Sequence, residues 1–361
     1  MRDWKTPALC QKLFAGFTIV GLGTSVLADD VKEKANQLAA LQNRDYHISV
    51  GSCAQESRDQ PIWDQIAADQ PDLFLFIGDN VYADTYDPAV MRKKYQALAK
   101  KKNFAKFRSD VPIMATWDDH DYGLNDAGSD YGMKEVSQQI FAEFWYPEES
   151  FLDKQKGIYH SKIFKWGRFD VQVLMLDTRY HRSPLKRSGN RYVPNHDAGA
   201  TILGKAQWQW LETELRKPAD VRIIASSIQY VAKDHRFEKW ANIPADRQRM
   251  VDVLVKTKAK GVVFVSGDRH LAEISKWQPE GLDYPIYDLT ASGLTNSVSA
   301  GVANEANVYR VPRTVAHRER NYGLIKIDDG PSPKLVLQIK NSRGAVLESQ
   351  ELAIPGIKPL I

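Results

Sequence analysis

The pattern of apolar runs predicts an α/β fold with a second sheet packed on the first. Three observations point there. Short apolar runs alternate with helical stretches over the first two thirds of the 361 residues, run after run stops in a polar Gly/Asp-rich cluster, and the last third is strand-rich with hairpin turns. No repeat at fixed period and no low-complexity tract interrupts this order.

Taken in sequence, a polar helix is expected over residues 31–43, ahead of a strand at 46–50 that closes in Gly51-Ser52-Cys53. A helix after Pro61 leads to the buried-strand run 73–77, closed by Gly78-Asp79-Asn80. A helical stretch over 89–102 precedes a strand at 111–116, which stops at Trp117-Asp118-Asp119-His120-Asp121. Residues 122–156 are Gly/Asp-rich, then helical and aromatic, which suits an insertion or lid near the mouth of a site. Strands at 158–164 and 169–176 follow, the second ending in Asp177-Thr178-Arg179. Helices at 205–216 and 245–258 lead into strands at 221–226 and 262–265, the latter closed by Ser266-Gly267-Asp268-Arg269-His270. Four tail strands are expected at 284–289, 323–327, 335–339 and 346–352.

Composition narrows the function. Lys+Arg 49 against Asp+Glu 45 gives +4, and the nearest basic run, Lys100-Lys101-Lys102, reads as a solvated helix face, so no nucleic-acid-binding module is expected. Nine Trp and fifteen Tyr are scattered and carry no function by themselves. The first 28 residues read as a secretory signal peptide: Arg2, Lys5 and Lys12, an apolar run over 13–20, then small residues ending in Val26-Leu27-Ala28. Cleavage after Ala28 would leave a periplasmic or secreted protein without a spanning segment, with a net charge of about +2 and Cys53 as its sole cysteine. Residues 29–45 are then a helical lead-in, and 46–361 a single domain whose oligomeric state the sequence leaves open.

A lone thiol in an oxidising compartment is a small buried hydrophobe or a metal ligand. Its surroundings favour the ligand. In open α/β sheets ligands sit beyond the carboxyl ends of strands, where the clusters at Cys53, Asp79, Asp118–Asp121 and Asp268–His270 all fall. A thiol, several carboxylates and two histidines meeting there leave uncompensated charge unless a cation sits among them. Sulfur asks for a transition metal and anionic oxygens for a highly charged one, so iron, zinc or manganese fit better than magnesium alone.

The ordered set Gly51-Ser52-Cys53, Gly78-Asp79-Asn80-Val81-Tyr82-Ala83-Asp84, Trp117-Asp118-Asp119-His120-Asp121 and Ser266-Gly267-Asp268-Arg269-His270 resembles the alkaline phosphatase D (PhoD-like) family of the calcineurin-like metallophosphoesterases. The resemblance spans about residues 46–296 and includes Leu176-Asp177-Thr178-Arg179-Tyr180 and Gln207-Trp208-Gln209-Trp210-Leu211. It implies a four-layer sandwich, two packed mixed sheets flanked by helices, and metal-dependent hydrolysis of phosphate monoesters or diesters. By that resemblance Cys53, Asp79 and Tyr82 hold one metal, iron favoured over zinc or manganese, and Asp79 bridges to a second divalent cation such as calcium. Asp268 and His270 complete the shell, Asp119 is a ligand of the second metal, and His120 is the acid or transition-state donor. Asn125 joins the ligands, five residues after His120 where the usual family pattern has four.

Arg179, at a strand end, is expected to grip a phosphoryl oxygen with its fork of donors, an ion pair with Asp177 or another carboxylate being the alternative. Glu238 and Trp240 read as pocket-wall residues. The whole predicts an exported metallophosphohydrolase acting on small-molecule or lipid phosphate esters. An exported glycosidase with paired carboxylates and a metal-dependent phosphate or headgroup binder are the rivals.

Overall fold

The structure, a computed structural model, describes residues 45–148, 152–312 and 315–354. The expected signal peptide and the helix at 31–43 lie outside the described residues. The strands, in chain order, are β1 Tyr46–Gly51, β2 Leu73–Ile77, β3 Ile113–Thr116, β4 His160–Trp166, β5 Phe169–Met175, β6 Lys186–Ser188, β7 Arg191–Val193, β8 Val221–Ala225, β9 Val262–Ser266, β10 Ala272–Trp277, β11 Ile286–Ala291, β12 Asn321–Asp328, β13 Lys334–Asn341 and β14 Val346–Ala353. The helices are α1 Ile62–Ala68, α2 Pro88–Ala99, α3 Lys102–Asp110, α4 Asp119–Tyr122, α5 Lys134–Trp145, α6 Gly204–Leu215, α7 Pro244–Thr257 and α8 Ala300–Ala303.

Two six-stranded mixed sheets result, ordered β14-β13-β12-β1-β2-β3 and β10-β11-β9-β8-β5-β4, with β6-β7 as a separate hairpin. Strand alternation explains the layering, because successive side chains leave opposite faces. Leu73, Leu75 and Ile77 of β2 meet Val171, Val173 and Met175 of β5 and Val263 and Val265 of β9 in the core between the sheets. Phe74 and Phe76 point the other way, into a helix-covered cluster around Trp63, Phe104 and Phe107. On the second sheet Leu174, Ile224 and Phe264 pack outward against α6 and α7 through Trp208, Leu211 and Leu254. The architecture is therefore the four-layer α/β sandwich.

Local departures from the sequence reading have physical causes. The helix expected over 89–102 ends at Ala99, and after an extended Lys101 a further helix that was not expected, α3, restarts at Lys102 and brings Phe104 and Phe107 onto Trp63. Strand β10 has a diluted apolar pattern: buried Glu273 pairs with Arg310 and buried Ser275 with Asn307. In the segment 122–156, α5 places Ile140, Phe141 and Trp145 in the outer cluster with Phe76 and Trp117, so this part of the expected insertion is core packing.

Candidate metal centre

Strands β1-β2-β3 run parallel, as do β5-β8-β9-β11, so their carboxyl ends come out together. The loops that follow are bent sharply. Cys53, Asp79, Asp268 and His270 have φ of 62°, 50°, 68° and 54°, the left-handed region that costs non-glycine residues about 1–3 kcal/mol each. Gly78 (φ 102°) has no alternative residue: a Cβ there would stand 2.5 Å from the Cβ of Asp118. Asp121 ties two of the loops, its carboxylate accepting from the Asn80 backbone N–H (2.9 Å), Asn80 Nδ2 (2.6 Å) and the Asp118 N–H (2.6 Å).

Within this frame the donors form three overlapping groups whose ligand atoms lie within 4.8 Å of one another: Cys53, Asp79 and His270; Asp79, Asp119 and His120; and Asp118, Asp119 and Asp268. Asp79 belongs to two groups and Asp119 to two. Cys53 Sγ lies 3.4 Å from Asp79 Oδ2, which also accepts from Tyr82 Oη at 3.1 Å. Tyr82 Oη stands 3.0 Å from His270 Nε2 and accepts from Asn296 Nδ2 at 2.5 Å.

The electrostatics fit a cation. Asp79 Oδ1 and Asp118 Oδ2 are buried and have no hydrogen-bond partner among the described residues, an expensive state for a carboxylate. Burial, then neighbouring carboxylates, pushes Asp268 and the Cys53 thiol up, and burial pushes Asp79 up despite nearby His120. Burial and then Asp79 do the same to Tyr82. Burial resists charge on His120, but Asp119, Asp79 and Asp84 outweigh it and carry the imidazole up to about 11. His270, buried and facing His120, falls to about 4 and stays a neutral donor. A bound cation reverses the cost of ionising every acid in the set.

Cys53, Asp79, Tyr82, Asp119, Asp268, His270 and His120 are thus brought together. Two expected residues are not. Arg179 is a correction: it is 0% exposed, its Nε donates to Asp118 at 2.6 Å, its Nη1 to Glu238 at 2.6 Å, and Nη2 faces Asp118. With both ends of the fork consumed by carboxylates, it holds Asp118 in place and has no face left for a phosphoryl group. Glu238 also pairs with Arg182 at 2.9 Å. Asn125 is exposed and spends its Nδ2 on Asp126, while the neighbouring Asp126 N–H binds Asp119 Oδ2.

Three contributors escaped the sequence reading as site residues. Asp118 lies in the Asp-Asp-His cluster but was passed over for its neighbour. Asp84 holds His120 Nδ1 at 2.8 Å, and its place five residues after Asp79 on the same post-strand loop was the available signal. Asn296 follows β11 as the other polar clusters follow their strands, and that position could have flagged it.

The sequence profile of the PhoD-like phosphatases matches residues 48–329. The chain belongs to the PhoD-like phosphatase family. Alkaline phosphatase D of Bacillus subtilis (strain 168) is 23% identical over 267 residues, 62% of this PhoD-like chain and 45% of that protein, so the chain spans less than half of its relative's length. Among solved structures, one described as the structure of PhoD superposes with a TM-score of 0.65 at 18% identity, covering 87% of this chain and 73% of that one. GAP50, described as the anchor in the inner membrane complex of Plasmodium, gives 0.57 at 11%, covering 87% and 90%. At these identities the structural likenesses are of fold, and a PhoD-like fold with such varied company leaves function to be argued from the site.

Proposed function

We propose that this chain is an exported metal-dependent phosphohydrolase that cleaves phosphate monoesters or diesters of small molecules or lipids. One observation carries the reading: three donor groups, each with two buried members and linked in series through Asp79 and Asp119, leave carboxylate oxygens unpartnered at the edge where the parallel strands end. Cys53, Asp79, Tyr82 and His270 would hold one ion, iron by preference because thiolate and phenolate accompany a highly charged cation, and Asp119 with Asp118 and Asp268 would hold a second. Bound cations would supply polarisation of the phosphoryl oxygens and a water acidic enough to attack phosphorus at neutral pH.

The chain's own residues do the rest. Asp84 fixes His120 through Nδ1, which leaves Nε2 as the atom that hands a proton to the leaving oxygen. Arg179, clamped between Asp118 and Glu238, keeps the Asp118 carboxylate aligned. Asn296 and His270 orient the Tyr82 hydroxyl. Export is supported by the order of charged, apolar and small residues in 1–28; among the described residues no helix is long and apolar enough to cross a membrane.

Metal analysis combined with hydrolysis of p-nitrophenyl phosphate and its bis ester tests the reading. Stoichiometric metal and turnover that a chelator abolishes are expected, with a visible charge-transfer band if the ion is iron. Cys53→Ala and Tyr82→Phe should each shift that band and weaken metal retention by about 10-fold or more. Metal-free protein that still hydrolyses, or metal-loaded protein inert on both esters, overturns the proposal.

A further inference from the structure

Outside the metal centre the molecule has a second chemically organised hollow, a cavity of about 560 Å³ between β7, the segment 233–242 and the start of α7. Its lining is basic. Arg191, Lys233, Lys239 and Arg247 contribute four cations together with the imidazole of His235, and no Asp or Glu lines it. None of the four cations forms an ion pair among the described residues, whereas their neighbours Arg236 and Arg269 are both met by Glu305.

The donors are only partly used. Lys239 gives one of its three N–H bonds to the Phe237 carbonyl at 2.8 Å, and Arg191 one Nη1 bond to the Asp234 carbonyl at 3.2 Å. Arg247 spends Nε and Nη2 on the carbonyls of Tyr230 and Val231 and keeps Nη1. His235 decides the matter. It is 4% exposed, yet neither Nδ1 nor Nε2 has a hydrogen-bond partner among the described residues. A buried imidazole with both nitrogens open is a group awaiting a ligand. The 14-residue helix α7 also begins at this wall, at Pro244, with no side chain capping it, and so adds the positive end of its dipole.

We propose that this cavity is a binding site for an organic phosphate, whose phosphoryl oxygens are taken by Arg191, Lys239 and His235 and whose organic body occupies the remaining volume. A cluster of unneutralised cations with a neutral imidazole among them suits a multiply charged oxyanion better than a single carboxylate, and the space exceeds that of a bare phosphate. The site also adjoins the reaction centre. Tyr192, beside Arg191, bonds Asp126 Oδ2 at 2.5 Å, and the Asp126 N–H bonds Asp119 Oδ2 at 2.6 Å. Behind the lining, Arg269, between the donors Asp268 and His270, lies over the ring of Phe237 at 4.6 Å, and the Phe237 carbonyl accepts from Lys239. The phosphoryl group can therefore belong to a second phosphate on the substrate or to a free phosphate bound beside it.

Equilibrium dialysis of the full chain against inorganic phosphate, and against p-nitrophenyl phosphate, tests the site with chelator present. The chelated protein is expected to keep one phosphate site per chain, with the ester binding more tightly than phosphate alone. Lys239→Gln should weaken binding by about 10-fold or more, and so should Arg191→Glu, a change at an exposed residue that leaves the core untouched. Chelated protein that binds neither ligand, or binding unaltered in both variants, overturns the proposal. The source of the group is read with metal restored, from the KM of an ester bearing a second phosphoryl group relative to that of the same ester without it. A ratio that Arg191→Glu changes by about 10-fold assigns the site to the substrate; an unchanged ratio, with dialysis binding lost, assigns it to free phosphate. Only this kinetic arm rests on the hydrolase reading, and failure of that reading appears as metal-loaded protein without turnover while the dialysis result stands.

Discussion

Two acidic clusters lie side by side, one fully buried and one opening at Asp268 and its two imidazoles, and they are differently completed. Around Arg179, the carboxylates of Asp118 and Glu238 meet two guanidiniums, those of Arg179 and Arg182. In the adjoining cluster Asp79, Asp119 and Asp268 face a thiol, a phenol and imidazoles, and no Lys or Arg forms an ion pair with any of them among the described residues. The first cluster is neutralised within the protein except at Asp118 Oδ2, which has no partner among the described residues and joins Asp119 and Asp268 in a donor group. The second cluster has no such counter-charge, so Glu238 belongs to the frame, Asp79, Asp119 and Asp268 to the donor set, and Asp118 links the two.

Breaking each cluster should give different failures. Asp79→Asn, at the carboxylate shared by two donor groups, is expected to release metal and to lower turnover by about 10³-fold or more, since cations supply several kcal/mol of transition-state stabilisation; metal content and kcat report it. Arg179→Met should instead cost about 3–5 kcal/mol of folding stability by stranding Asp118 and Glu238, read from denaturant unfolding. Equal metal loss and no stability change in that variant would erase the distinction. His120→Ala should keep the metal and reduce kcat by about 10²-fold; loss of metal with it would make His120 a ligand of the group it shares with Asp79 and Asp119.

The smallest signal sharpens the comparison through pH. In chelated protein, burial raises Asp118 to about 7 and Asp121 to about 8. Because these folded-state values lie above the ordinary carboxylate range, their contribution is whole in acid and is lost as pH rises to about 8. Asp119 opposes this only in acid: despite burial, Arg179 and His120 bring it down to about 2. His160 and His270, both brought down to about 4 chiefly by burial, oppose the loss up to the ordinary imidazole value of about 6.5. The melting temperature of chelated protein should therefore fall from about pH 6.5 to 8, and metal should flatten or invert that slope. A flat profile without metal would deny the cluster its charge deficit.

The comparison also explains what the sequence could disclose. The convergence of candidate ligands such as Cys53, Asp79 and Asp268 was legible because each sits just after an apolar run, and a parallel sheet brings such positions to one edge. The two sheets followed from the same runs. Arg179 takes the alternative reading, an ion pair, and the sequence could not name its partners because Asp118 and Glu238 are far away in the chain and leave no local mark. Asn125 failed on register: one step separates a side chain facing the cluster from one facing solvent, and here the Asp126 backbone takes the inward place. Strand β10 was lost because its buried polar residues are satisfied by Arg310 and Asn307, partners that no periodicity announces.

The position of β1 has a consequence for how the molecule comes into being. This strand carries Cys53 at its end, stands near the beginning of the described chain, and pairs on one side with β12, Tyr46 against Ile327. Until the ribosome has delivered β12, which begins only at Asn321, the open edge of β1 has no partner and the first sheet cannot close. Such long-range pairing makes folding slow. For a polypeptide proposed to travel across a membrane as a thread, that delay would be an advantage: the nascent chain would stay threadable, and the sheet that gathers the donors would close only after arrival.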